Sequence, residues 1–141
     1  MNSENIKSEV EILREENNEL LKYVFQLEGK LFLKMDSYRL VEEKSKVKCL
    51  SNIERKQLCN DINCVFYQLI KILKTACILL TEEDLMFCCF SIMKIHGKIL
   101  RHCMGTTSKY ASNQRRYRIK KKMKLTSCSN LYEIIFQKNY R

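Results

Sequence analysis

The chain has 141 residues, with 26 Lys and Arg against 16 Asp and Glu, a formal net charge of +10. Pro is absent and Gly occurs only at Gly29, Gly97 and Gly105, which excludes turn-dense β-sandwiches and barrels and the Gly-rich loops that cradle phosphates. Hydrophobic residues make up 45% and charged residues 30%, the composition of a folded, mainly helical chain.

No segment reaches the ~20 apolar residues needed to span a bilayer. The N-terminus, MNSENIKSEVEILREE, lacks the basic start and apolar run of a signal peptide. The expected location is the cytoplasm. Eight cysteines (Cys49, Cys59, Cys64, Cys77, Cys88, Cys89, Cys103, Cys128) include no CxxC pair. In a chain that is not exported they are expected to be small core hydrophobes, with Cys88 and Cys89 structural. A zinc site from Cys59 and Cys64 with His96 or His102 is a weaker alternative of loose spacing. No cofactor is expected.

In chain order, residues 6–41 carry a heptad pattern. Val10, Asn17, Val24, Leu31 and Tyr38 fall at position a; Ile6, Leu13, Leu20, Leu27, Lys34 and Val41 fall at d. Val at a with Leu at d favours a parallel dimer, and Asn17 at a specifies register and chain number. The expected dimerisation seam is therefore Val10, Leu13, Asn17, Leu20, Val24, Leu27 and Leu31. Ile12, Leu21, Phe25, Phe32 and Leu33 lie off that seam and fit a helix packed on its own domain instead. KSKVKCLSN (44–52) reads as a hinge, dividing a coiled-coil helix (1–48) from a helical domain (49–141).

Ser51 and Glu54 form a capping-box pattern that opens a second helix, expected to run to about Ala76. Leu58, Ile62, Val65, Leu69, Leu73 and Ala76 give it one apolar face. Thr81 and Asp84 repeat the pattern for a third helix, with Leu85, Cys88, Cys89, Ile92 and Met93 on its apolar side. A short segment, Lys98 to Met104, is followed by a turn at Gly105–Thr107 and a basic helix from Ser108 to about Lys124. Two helices joined by a short Gly-containing turn make a helix-turn-helix candidate at about 81–125. LYEIIF (131–136) is expected to pack back on the core. The fold class is all-α.

Charge divides the chain. Residues 1–84 sum to −2, while Leu85 to Tyr132 contains no Asp or Glu and sums to +11. A purely basic stretch calls for a polyanion. With Ser112, Ile119 and Met123 inward, Lys109, Asn113 and Arg116 form an outward stripe with Tyr110 and Gln114 beside it, suited to base edges. Arg115, Arg118, Lys120, Lys121 and Lys122 are expected to grip phosphate.

The segments LTEEDLMFCCFSIMKI (80–95) and RRYRIKKKM (115–123) resemble the C-terminal coiled coil and LuxR-like (winged-helix-like) helix-turn-helix region of bacterial tetratricopeptide-repeat transcription regulators. The likeness covers about Leu50 to Phe136 and the helix before it. It implies a dimeric regulator of double-stranded DNA, or a truncated relative of one. Arg101 and Ser112 depart from the family, which places a small residue and an apolar β-branched residue there; both are expected to weaken packing. The alternative reading is a coiled-coil interaction module whose divergent basic domain lacks specific DNA binding. A nonspecific RNA or acidic-membrane binder is a third. No linear motif with a catalytic mechanism is present, so no enzyme and no small-molecule substrate is expected.

Overall fold

The computed structural model describes residues 3–136, with side chains from residue 8 onward. The described residues form eight α-helices: α1 (Ser3–Leu33), α2 (Asp36–Ser45), α3 (Asn52–Val65), α4 (Tyr67–Ala76), α5 (Glu82–Met93), α6 (Gly97–Cys103), α7 (Lys109–Leu125) and α8 (Ser129–Ile135). The all-α class is as expected, and no strand occurs among the described residues.

α5 is the centre. Every residue from Asp84 to Phe90 is buried, the pattern of a helix surrounded on all sides rather than lying on a surface. Helices α1, α3, α4 and α8 pack around it. Both expected capping boxes are formed. Glu54 N donates to Ser51 Oγ (3.2 Å) and Ser51 N to Glu54 Oε1 (2.9 Å). Asp84 N donates to Thr81 Oγ1 (3.1 Å) and Thr81 N to Asp84 Oδ2 (3.0 Å). Leu58, Ile62, Leu69 and Leu73 are buried as the periodicity predicts, and α8 buries Leu131, Tyr132, Ile134 and Ile135.

Two expected helices are each broken in two. The first stops at Leu33 and restarts at Asp36, with Met35 extended (φ −74°, ψ 141°). Residues 32 and 38 would point about 120° apart on one continuous helix. The break brings the Phe32 and Tyr38 rings to 5.1 Å, with Phe66 5.9 Å from Phe32. The second breaks at Phe66 (φ −87°, ψ 50°). Glu28 of α1 meets the new helix start there, accepting from Gln68 N (2.8 Å) and Leu69 N (3.2 Å). A carboxylate thus satisfies free amides at the positive end of α4.

The core crosses the expected boundary at residue 48. Phe25, Phe32 and Tyr38 belong to the same buried cluster as α3–α8. Gly29 lies between Phe25 and Phe32 on that face, where a Cβ would come 3.1 Å from Met93 Cγ. The off-seam aromatics dock the C-terminal half of α1, as a helix packed on its own domain requires. The seam points elsewhere: Val10, Leu13, Leu20, Leu27 and Leu31 are exposed, as is Asn17, while Val24 is partly covered by the core. The d-position residue Ile6 lies outside the described side chains.

Cys88 and Cys89 are fully buried and Cys103 is also buried, whereas Cys64 is exposed. Burial, with the charge of Asp84 adding to it, pushes the Cys88 thiol well above its ordinary range. Burial also raises Cys103, to about 11, with a Ser45 hydrogen bond opposing and Glu42 adding. Thiolate is the reactive form. In the native protein at neutral pH, a thiol reagent is expected to modify Cys64 within minutes and to spare Cys88, Cys89 and Cys103 until unfolding. Peptide mapping after timed labelling reads this; early modification of Cys88 or Cys89 contradicts the packing of α5.

Candidate functional site

Helix α7 carries most of the expected interface, and its rotation decides which side chains reach solvent. Ile119 and Met123 are fully buried and Ser112 is half-buried, so the inward stripe is as expected. A second restraint comes from Asp84, which is 1% exposed. Arg115 Nη1 donates to Asp84 Oδ1 at 2.7 Å and Lys122 Nζ to Asp84 Oδ2 at 2.6 Å. Arg115 also reaches Glu83 at 3.1 Å, and Arg55 pairs with the other oxygen of Glu83 at 2.9 Å. Arg115 and Lys122 sit seven residues apart, two turns along one face. Both, expected to grip phosphate, are here held on the acidic start of α5 by its carboxylates.

Arg116 is also drawn aside. Its guanidinium lies over the Phe87 ring (5.5 Å) and the Phe136 ring (5.8 Å), a cation–π arrangement. Lys109, Asn113 and Arg116 are all exposed, as an outward stripe requires. Tyr110, Asn113, Tyr117 and Lys121, at steps of three and four, form a second exposed row beside it. Tyr117 is 57% exposed and Tyr110 72%. Tyr117 escaped the sequence reading, although its seven-residue spacing from Tyr110 was the available signal. Lys121 lies over the Tyr117 ring at 5.7 Å. Lys109 and Arg118 are exposed and Gln114 is half-buried beside the stripe. Lys120 turns towards α8, over the Tyr132 ring at 5.8 Å.

Local chemistry sets the start of this helix. Ser108 caps it, its hydroxyl accepting from Ala111 N at 3.1 Å. Gly105 adopts φ +81° in the preceding turn, the left-handed conformation that glycine tolerates. The helix before it, α6, packs on α2. Buried His102 approaches Ser45 O at 2.6 Å through Nδ1, a contact that requires the hydrogen on Nδ1. Leu50 N donates to His102 O at 3.0 Å. Between α6 and α7 a cleft of about 340 Å³ remains, lined in part by Arg101 and Ser112.

The zinc alternative is not assembled. Among the described residues no group of three or more His, Cys, Asp or Glu side chains is placed to hold a metal ion. His96 instead caps α6, its Nδ1 accepting from Lys98 N at 3.2 Å. Among the described residues no helix is long and apolar enough to cross a membrane. Comparison with known proteins gives no match to a family model, a curated protein or a solved structure.

Burial alone would raise the Asp84 carboxyl, but Lys122, the Thr81 amide and Arg115 outweigh it and hold the group below its ordinary value. Its folded pKa therefore lies below its unfolded one. The stability it contributes is complete above the unfolded value near ~3.9 and is lost as pH falls through the lower folded value. Asp84→Ala removes a cap acceptor and strands two cations that keep some solvent contact, so a loss of about 2–4 kcal/mol is expected at pH 7. The gap from wild type should narrow below about pH 4. Urea unfolding at pH 7 and pH 3 measures both; a gap that is constant with pH removes Asp84 from this role.

Proposed function

We propose that the chain is a DNA-binding transcriptional regulator that engages duplex DNA as a dimer, with α6 and α7 as the helix-turn-helix and α7 in the major groove. The observation that carries this reading is the solvent face of α7. Tyr110, Asn113, Tyr117, Arg118 and Lys121 are exposed there, within a stretch from Leu85 to Tyr132 that contains no acid. An amide flanked by cations on the N-terminal half of a helix is the combination that reads base edges while holding phosphate. The resemblance of residues 80–95 and 115–123 to LuxR-like regulators supports the same assignment.

Asn113 is the proposed base-reading side chain, with Lys109, Tyr110 and Gln114 near it. Arg118 and Lys121 are the proposed phosphate contacts. Selection from random duplex DNA on the purified chain is expected to enrich one motif. Asn113→Ala should then cost about 1–3 kcal/mol on that motif and far less on random DNA. Lys121→Ala should weaken all duplexes alike and flatten the log–log salt dependence by about one unit. Lys122→Ala should instead lower stability, because its charge faces Asp84. No enrichment, with Asn113→Ala and Lys121→Ala equivalent on all duplexes, leaves an interaction module in place of a regulator.

The dimer is proposed to form through the exposed seam of α1. Leu13 and Leu20 are each 65% exposed, Leu31 is 60% and Leu27 46%. A parallel partner would cover them, pair Asn17 with Asn17 and bring Glu9 beside Arg14. Sedimentation at micromolar concentration is expected to give two chains. Leu20→Glu should give a folded single chain, because that side chain contributes nothing to the core. A wild-type monomer under those conditions sinks the dimer.

A further inference from the structure

The cleft between α6 and α7 has the chemistry of a receptor for a small organic anion. It measures about 340 Å³, the lower end of the range for ligand pockets. Three arginines, Arg101, Arg115 and Arg118, line it, and no Asp or Glu does. Arg115 is already committed to Asp84 and Glu83. Arg101 and Arg118 have no ion-pair partner among the described residues, and the Arg101 Nε is buried without a hydrogen-bond acceptor. A buried donor left unpaired is costly, and an oxyanion satisfies it with a charge-assisted bond.

Met104 and Tyr110 supply accessible apolar surface, backed by the buried core residues Phe87 and Leu100. Ser112 supplies the space: an apolar branched side chain at that position of α7 would fill the opening. Gly97 gives Arg101 its room, since a Cβ there would lie 3.2 Å from the Arg101 Nη1. Two unpaired guanidinium groups beside an apolar wall match a molecule with a phosphate or carboxylate head and a small flat body. A divalent cation or a neutral lipid matches neither feature.

We infer that this cleft binds a small phosphate- or carboxylate-bearing molecule, with Arg101 and Arg118 on its oxyanion and its body against Met104 and Tyr110. The site does not depend on the DNA reading, and binding is measured with no DNA present. The probe is phenyl phosphate, titrated into the full isotope-labelled chain and followed by amide chemical shifts; inorganic phosphate and phenol are run beside it. Saturable shifts are expected at 99–104 and 110–115, with phenyl phosphate binding more tightly than either half.

Arg101→Met and Arg118→Met should each weaken binding at least about tenfold, while Lys46→Gln, remote on the α2–α3 linker, leaves it unchanged. Ser112→Leu separates a binding site from a packing defect: it should abolish binding and raise the thermal midpoint together. Arg118 is exposed, so its variant tests the site even if the other two fail to fold. Wild-type affinity in Arg118→Met, shifts confined to the outer face of α7, or non-saturable shifts each overturn the inference. So does a loss of duplex affinity in Arg118→Met without any phenyl phosphate binding by the wild type, since the cleft would then be part of the DNA footprint.

Discussion

A single carboxylate, Asp84, joins the two halves of the charge distribution. It is the last acid before a long acid-free stretch, and it is almost completely buried. It accepts from Thr81 N at the start of α5 and from Arg115 and Lys122 of α7. Desolvating a charge is costly, and a buried pair often adds little net stability over an apolar replacement. What the arrangement contributes is orientation. Two cations seven residues apart, drawn to one carboxylate, fix α7 about its own axis. Ile119 and Met123 set the same rotation through burial. The stripe Tyr110–Asn113–Tyr117–Lys121 is left facing water as a consequence.

Helix α1 is amphipathic twice over, on different faces. Phe25, Gly29 and Phe32 meet the core at steps of four and three, and Glu28 caps α4 from the same side. The a and d positions lie on another side of the cylinder and stay open. A helix of 31 residues can therefore hold its own domain with its C-terminal half and keep a seam along its length. Among the described side chains of α1 the two uses compete at Val24, an a position that the core partly covers, and beyond the break Tyr38 (a) and Val41 (d) are also taken by the core. Those are the positions where a proposed partner helix would have to diverge.

Locally encoded features were legible in the sequence. The capping boxes at Ser51 and Thr81 depend on four consecutive residues, and α3, α5 and α7 begin close to where the sequence places them. The breaks at Lys34–Met35 and Phe66 were not legible. Neither carries Pro or Gly; each arises because a distant ring must be buried, as when Phe32 and Tyr38 meet Phe66. The same holds for the cation assignments. Helical period alone separates inward from outward positions, but Arg115 and Lys122 flank the inward stripe, and only the position of Asp84 shows that they turn in. Arg116 likewise sits where solvent is open, yet Phe87 and Phe136 hold it.

Of the eleven basic side chains between Leu85 and Tyr132, the fold therefore commits several before any partner arrives. Arg115 and Lys122 neutralise Asp84 and Glu83. Arg116 and Lys120 lie over aromatic rings. Lys120 and Lys124 also border a groove of about 810 Å³ whose other lining includes Glu15, Glu19 and Glu133, so their field is partly offset by α1 and α8. Lys109, Arg118 and Lys121 remain on the open side of α7. Self-repulsion among the basic groups is lowered by these commitments, while Lys98 and Lys124 are also exposed. Coulombic attraction between exposed charges weakens beyond about 8 Å at physiological salt. The polyanion proposed to dock on α7 would have to approach along that open side to feel Lys109, Arg118 and Lys121, and Tyr110, Asn113 and Tyr117 are the exposed side chains beside them.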